Sequence, residues 1–248
     1  MSINLGKIST RAPDDWNKAD TKAKLVDITN DLYHLQNLLY AEGRHAVLIV
    51  VQGMDASGKD GLTRDVFGQM NPQGVTVKSF KVPTAEEVSH DFLWRVHQHA
   101  PAKGMIGIFN RSHYEDVLVT RVHGWIDDEQ AASRMRAINH FEQLLREHNN
   151  THILKLYLHI SPEEQHKRLQ ERMENPEKMW KYNANDLVEA RQWDHYRQYY
   201  EDAINTCNEV PWHVIPADQN WYKSYMVASL LRDTLRGLNM KYPGLKSS

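Results

Sequence analysis

At 248 residues the chain has room for one α/β domain with a substantial core. Its 30 Lys+Arg and 32 Asp+Glu leave a formal net charge of −2, so no global field favours nucleic acid or membrane, and an anionic partner requires a locally basic groove. The single cysteine, Cys207, excludes a disulfide framework and fits a reducing, cytoplasmic setting. The first residues lack a signal-peptide pattern, and no apolar run reaches the ~20 residues of a membrane span.

Residues 1–18, polar and carrying Pro13, read as a loosely held arm preceding a domain over 19–248. Leu25, Ile28, Leu32, Leu35, Leu38 and Leu39 recur at three- and four-residue spacing and predict a helix over 20–42. Ala46 to Val51 is a β-branched run of buried-strand length, followed by a glycine loop and a helix over 59–70. Strands are expected at 75–80, 105–109, 151–160 and 212–215. Helices are expected at 84–99, 127–149, 186–205 and 221–240, with one more after Ser161, whose N-cap and Glu164 form a capping box. Alternating strands and helices imply a parallel sheet covered on both faces.

Gly53-Met54-Asp55-Ala56-Ser57-Gly58-Lys59-Asp60-Gly61 carries the strongest chemical signal. It has G-x-x-x-x-G-K spacing between an apolar strand and a helix, the setting of a phosphate-binding loop. Gly53 and Gly58 permit backbone angles that turn successive N–H groups into one concavity, the helix start adds its positive end, and Lys59 brings an ammonium. Asp60 stands where Ser or Thr is usual. With Asp55 it places two acids in an anion cradle, which makes sense if Mg²⁺ or Mn²⁺ binds them; both are candidate metal ligands.

Asn110-Arg111-Ser112-His113-Tyr114-Glu115-Asp116 follows the 105–109 strand, at the sheet edge where such enzymes keep a carboxylate for the metal's water shell. Asn110 is a weaker ligand; Arg111 can grip a phosphoryl oxygen, with His113, Glu115 and Arg121 close by. Arg168 and Arg172 share a helix face at i, i+4. Lys178, Lys181, Asp186 and Arg191 follow across a polar segment with Pro176. Residues 168–192 therefore read either as a flap closing over phosphates or as a salt-bridged solvent face. Lys78 and Lys81 flank a strand end and suit phosphate contacts or plain surface. The other histidines, 14 in all, show no metal-ligand spacing, and Trp180, Trp193, Trp212 and Trp221 read as packing anchors.

These motifs, with Asn71-Pro72-x-Gly74, Val82-Pro83-Thr84, the stretch from Arg168 to Trp193 and Trp212-x-Val214-Ile215-Pro216-Ala217, resemble the polyphosphate kinase 2 family over about residues 35–243. The Asn-Arg-Ser-His-Tyr-Glu-Asp form is similar to the subgroup that accepts both AMP and ADP. The resemblance implies a three-layer α/β/α P-loop fold with a helical lid, similar to thymidylate kinase. It also implies Mg²⁺-dependent, reversible transfer between inorganic polyphosphate and nucleoside mono- or diphosphates, giving ADP and ATP, and leaves guanine nucleotides open. Catalytic roles fall to Asp55, Lys59, Arg111, Arg121, Arg168 and Arg172. The loop from Gly53 to Gly61 and the basic residues above supply phosphate and nucleotide contacts. A homo-oligomer, dimer or tetramer, is expected by analogy. Two other readings remain: a nucleoside monophosphate kinase with a triphosphate donor, and a nucleotide-binding switch, although the N-K-x-D guanine element is absent.

Overall fold

A computed structural model describes residues 2–245; Met1 and residues 246–248, counted above within the arm and the domain, lie outside it. Helix α1 (Lys18–Glu42) starts where the Asn17 side chain accepts from the N–H groups of Ala19 and Asp20, and stops at Gly43 in the left-handed region. Strand β1 (Ala46–Gln52) is buried at every position, which requires cover on both faces. After the glycine loop come α2 (Lys59–Leu62), β2 (Val75–Ser79), α3 (Ala85–Val88), α4 (Trp94–His97), β3 (Ile106–Asn110) and α5 (Glu115–Val122). The chain finishes with α6 (Asp128–Asn149), β4 (Thr151–His159), α7 (Pro162–Glu174), α8 (Ala184–Ala190), α9 (Trp193–Thr206), β5 (Trp212–Pro216) and α10 (Asn220–Gly237).

All strand pairs are parallel, in the order β2-β3-β1-β4-β5. The chain leaves central β1 for the β2 edge, returns through β3, then crosses β1 to reach β4. Its direction therefore reverses between β1 and β3, and their carboxyl ends, Val51 paired with Asn110, border the crevice where open α/β sheets bind ligands. Helix α10 packs on α1 and α2, while α5 packs on α6 and α9.

Several expected elements differ. The 84–99 helix is two short ones, because the Ser89 hydroxyl donates back to Glu86 O (2.7 Å) and the Asp91 carboxylate accepts from Leu93 N–H (3.0 Å). Such side-chain bonds give the backbone an alternative to the helix ladder. The 59–70 helix loosens after one turn into a π turn over Thr63–Phe67. The 186–205 helix starts earlier, on an Asn183 cap, and breaks between Ala190 and Trp193. Helix α5 was hidden by β-branched Val117, Val119 and Thr120, which favour a strand reading. At Ser161 only half of the capping box forms: its Oγ accepts from Glu164 N–H, while the Glu164 carboxylate turns to Arg168. The N-terminal arm is not loose. Leu5 is fully buried, Ile3 N–H donates to Asn205 (2.7 Å), the Thr10 hydroxyl to Asp218 (2.7 Å), and Trp16 packs edge-on against Tyr222.

Candidate active site

The loop after β1 turns its carbonyls outward, and each of five finds a side-chain donor. Lys59 Nζ donates to Gly53 O (2.7 Å) and Met54 O (3.1 Å), Gln165 Nε2 to Asp55 O (3.1 Å), Arg168 Nη1 to Ala56 O (3.0 Å) and Lys223 Nζ to Gly58 O (3.0 Å). With these carbonyls engaged, Ser57 N–H donates to Met54 O (3.2 Å), while the N–H groups of Ala56, Gly58 and Lys59 have no acceptor among the described residues and are left for an anion, as a nest requires. Two glycines are obligatory. A Cβ on Gly53 would sit 2.7 Å from Ser57 Oγ and 2.9 Å from Leu158 O, and one on Gly58, at φ +92°, would collide with Lys223 Nζ. Ala56 and Arg111 hold φ of 60° and 63° without that freedom, backbone strain concentrated at the two motifs. The Ser57 hydroxyl is buried with no partner among the described residues.

The acids fall into two clusters. Arg111 bridges Asp55 (2.6 Å) and Glu115 (3.2 Å). Burial alone would raise the Asp55 carboxyl, but Lys59, Arg111 and Arg172 outweigh it and hold it below the ordinary carboxylate range. Asp60 accepts from Asn110 Nδ2 (2.8 Å) and lies 3.5 Å from Lys181 Nζ. Burial pushes Asp60 upward, and the Asn110 hydrogen bond with Lys181 and Lys59 brings it below its usual value. Burial and the neighbouring Arg111 depress Lys59 to about 8, against the pull of Asp55, Glu115 and Asp60. Asn110 thus orients Asp60 instead of standing in for a carboxylate.

Two cavities meet at Asp55 and Arg111. The larger, about 840 Å³ and open, runs over the loop and carries eight cationic side chains (Lys59, Arg64, Lys81, Arg111, Arg168, Arg172, Lys178, Lys181) against six carboxylates. Most of those cations are already paired: Arg172 with Asp186 (2.5 Å), Lys178 with Glu171 (2.6 Å), Lys181 with Asp60. Burial and nearby Asp55 raise the Asp186 carboxyl in spite of Arg172. The smaller cavity, narrow at about 20 Å³, is walled by Trp193, Tyr196 and Tyr200 with Gln165, Glu115 and Glu189. Residues 175–192 roof both.

Four expected contacts lie elsewhere. Arg121 is tied to Asp202 (2.6 Å) and Asp128 (2.8 Å) and lies over the Tyr199 ring, joining α5 to α9 away from both cavities. Arg121→Gln is therefore expected to leave kcat within about threefold. It should cost about 1–2 kcal/mol through lost ion pairs and ring contact, a fall of roughly 2–8 °C in thermal midpoint. His113 is fully buried against Glu142, Lys78 sits over Phe80 on the edge strand, and Arg191 is exposed at the end of α8. Arg168 stays at the cleft wall but spends four hydrogen bonds on Glu164 and the carbonyls of Ala56, Ala217 and Asp218. Of the tryptophans, Trp212 packs on Tyr114, Trp193 lines the smaller cavity and Trp180 is 77% exposed beside Lys181. Gln165, Lys223 and the aromatic wall carried no sequence signal of their own; only proximity in the fold assembles them.

The donor chemistry suits a hard divalent cation. Asp55 and Asp60 both line the larger cavity, and no group of three or more His, Cys, Asp or Glu that could hold a metal occurs among the described residues. Two carboxylates, completed by water and phosphate oxygens, match the way Mg²⁺ is usually held beside phosphates.

A parallel 2-3-1-4-5 sheet, a glycine nest after its central strand and an arginine–aspartate pair at the switch point define a P-loop phosphotransferase. The chain belongs to the polyphosphate kinase 2 family, whose profile matches residues 15–243. It is 53% identical over 221 residues to an AMP/ADP-polyphosphate phosphotransferase of Meiothermus ruber (88% of this chain, 82% of the relative). It is also 41% identical to an ADP-polyphosphate phosphotransferase of Rhodopseudomonas palustris (97% and 88% covered). The crystal structure of polyphosphate kinase 2 from Arthrobacter aurescens TC1 superposes with a TM-score of 0.95 at 44% identity, covering 99% of this chain and 89% of that one. No helix among the described residues is long and apolar enough to cross a membrane.

Proposed function

We propose that this enzyme moves phosphoryl groups reversibly between inorganic polyphosphate and AMP or ADP. The observation that carries this reading is the shared wall of the two cavities. The basic cleft suits an extended polyanion, Trp193, Tyr196 and Tyr200 offer stacking faces to a base once that narrow lobe widens, and Asp55 with Arg111 stands where the two would meet. The Meiothermus ruber relative, named for both AMP and ADP, supports the choice of acceptors.

In this reading the nest and Lys59 bind the donor phosphates. Lys59 exchanges its carbonyl partners Gly53 and Met54 for phosphate oxygens, and Arg111 spreads charge over the transferred group. A bound Mg²⁺, held by Asp55 and Asp60, would neutralise charge that develops on the phosphates. Residues 168–192 act as the lid: Arg172, Lys178 and Lys181 trade their carboxylate partners for phosphate and shut out water that would divert the phosphoryl group. The acceptor phosphate is already ionised, so no general base is required. Exposed Val26, Tyr33 and Tyr40, seven residues apart on α1, support self-association, and buried, unpaired Cys207 fits a cytoplasmic setting.

Incubation with polyphosphate, Mg²⁺ and either AMP or ADP is expected to yield ATP, and EDTA to abolish the reaction. Phosphorylation of AMP by ATP, with none from polyphosphate, would make the chain an ordinary nucleotide kinase.

A further inference from the structure

Lys223, in the first turn of α10, takes no part in the mechanism above. It is 1% exposed, beneath the cleft floor made by Gly58 and Asn220, and its nitrogen meets two acceptors among the described residues: Gly58 O (3.0 Å) and Asn220 Oδ1 (2.8 Å). It forms no ion pair with a carboxylate among the described residues. Three of the charged groups that face it are cations: Lys59 on α2, Arg64 in the π turn and Arg168 on α7. The fourth, Asp65, is engaged with Arg64 (2.9 Å). A buried ammonium without a counter-ion is costly. Two acceptors match the two N–H bonds of a neutral amine and leave the third proton of an ammonium unserved.

We propose that Lys223 is a positioning residue that takes up a proton when phosphate fills the nest above it, so that the loop gains a cation from below only in the loaded enzyme. This rests on the assignment of the large cleft to a phosphate chain. The lysine touches Gly58 O, the carbonyl of the residue that caps α2, and Gly58 and Lys59 both line the cleft. An anion bound there supplies the counter-charge that the side chains around Lys223 do not, and protonated Lys223 then polarises the Gly58 end of the nest. Burial and Arg168 depress the free amine to about 7, which puts the change within the working range. The sign is set by linkage: binding that takes up a proton weakens as pH rises above the value of the free group, by up to about tenfold per unit.

Calorimetric titration of inorganic tripolyphosphate at pH 8, in two buffers of different ionisation enthalpy, measures the protons exchanged. About nine-tenths of a group titrating near 7 is neutral at pH 8, so the wild type should take up at least about half a proton more per site than Lys223→Met or Lys223→Arg. The arginine variant keeps a fixed cation, so its affinity should vary much less between pH 7 and 8 than that of the wild type. Equal uptake in the wild type and both variants would assign the proton to another group, such as Lys59, and overturn the inference. Binding with no uptake would do the same while leaving the cleft assignment intact. No binding at all would overturn both. Should the methionine variant fail to fold, the arginine variant decides alone, since it must bind while losing the uptake.

Discussion

Asp55→Asn and Lys59→Ala are each expected to lower kcat at least about 100-fold, the scale of losing one contact made in the transition state. Asparagine keeps the size of Asp55 but removes its charge, and three cations converge on that charge: Lys59, Arg111 and Arg172. Arg111, 2.6 Å away, would keep only Glu115 as an anionic partner and would swing toward it. A damaged metal site and a displaced arginine thus come from one substitution. Arg111→Ala removes the other half of the pair, and because the two side chains touch, the double variant should lose much less than the product of the single losses. Steady-state and single-turnover kinetics, with circular dichroism as the folding control, measure this. A rate for Asp55→Asn within tenfold of wild type would remove it from the mechanism, and strict multiplicativity would show that Asp55 and Arg111 act independently.

The parts of this site that lie together in the chain were legible in the sequence. The run Ala46 to Val51, the glycine loop and Asn110-Arg111 each declare themselves within a few residues, because strand burial and the nest are local demands on residue type. The 2-3-1-4-5 order was not legible, since nothing in a strand's own composition names its neighbours. Contacts across the fold were hidden for the same reason. Lys223 lies 165 positions from Gly58, and on a helix pattern a lysine reads as solvent-facing. Arg121 had acidic neighbours at Glu115 and Asp116 that pointed to the site, yet Asp202, 81 residues on, claims it. The broken helix at 84–99 shows a further limit: one hydroxyl or carboxylate turned back on the main chain ends a helix that periodicity would continue.

A fully buried network behind the second motif carries the largest expected change in stability. Lys155 Nζ donates to Glu142 Oε2 (2.8 Å), to the Tyr114 hydroxyl (2.9 Å) and to Cys207 O (2.8 Å), while Tyr114 donates to Glu142 Oε1 (2.8 Å). Lys155→Met leaves Glu142 as an unbalanced buried carboxylate that keeps the Tyr114 hydroxyl and lies 3.4 Å from His113 Nε2. Removing one partner of such a pair costs about 3–5 kcal/mol, or roughly 6–20 °C in thermal midpoint. Adding Glu142→Gln should recover much of that loss, because the penalty lies in the orphaned charge more than in the missing bond. Acid makes the same distinction. In the wild type burial works to raise Glu142, and His113 and Lys155 together bring it below its ordinary 4.5, so its contribution is full above that value and fades as pH falls through the lowered one. Without Lys155, burial dominates and the carboxyl rises, so the variant's penalty is full near neutrality and is relieved as protonation proceeds on acidification. The gap in thermal midpoint between wild type and Lys155→Met should therefore narrow from pH 7 to pH 4. A gap independent of pH would mean that the loss comes from packing around Tyr114 and Trp212 and not from the stranded charge.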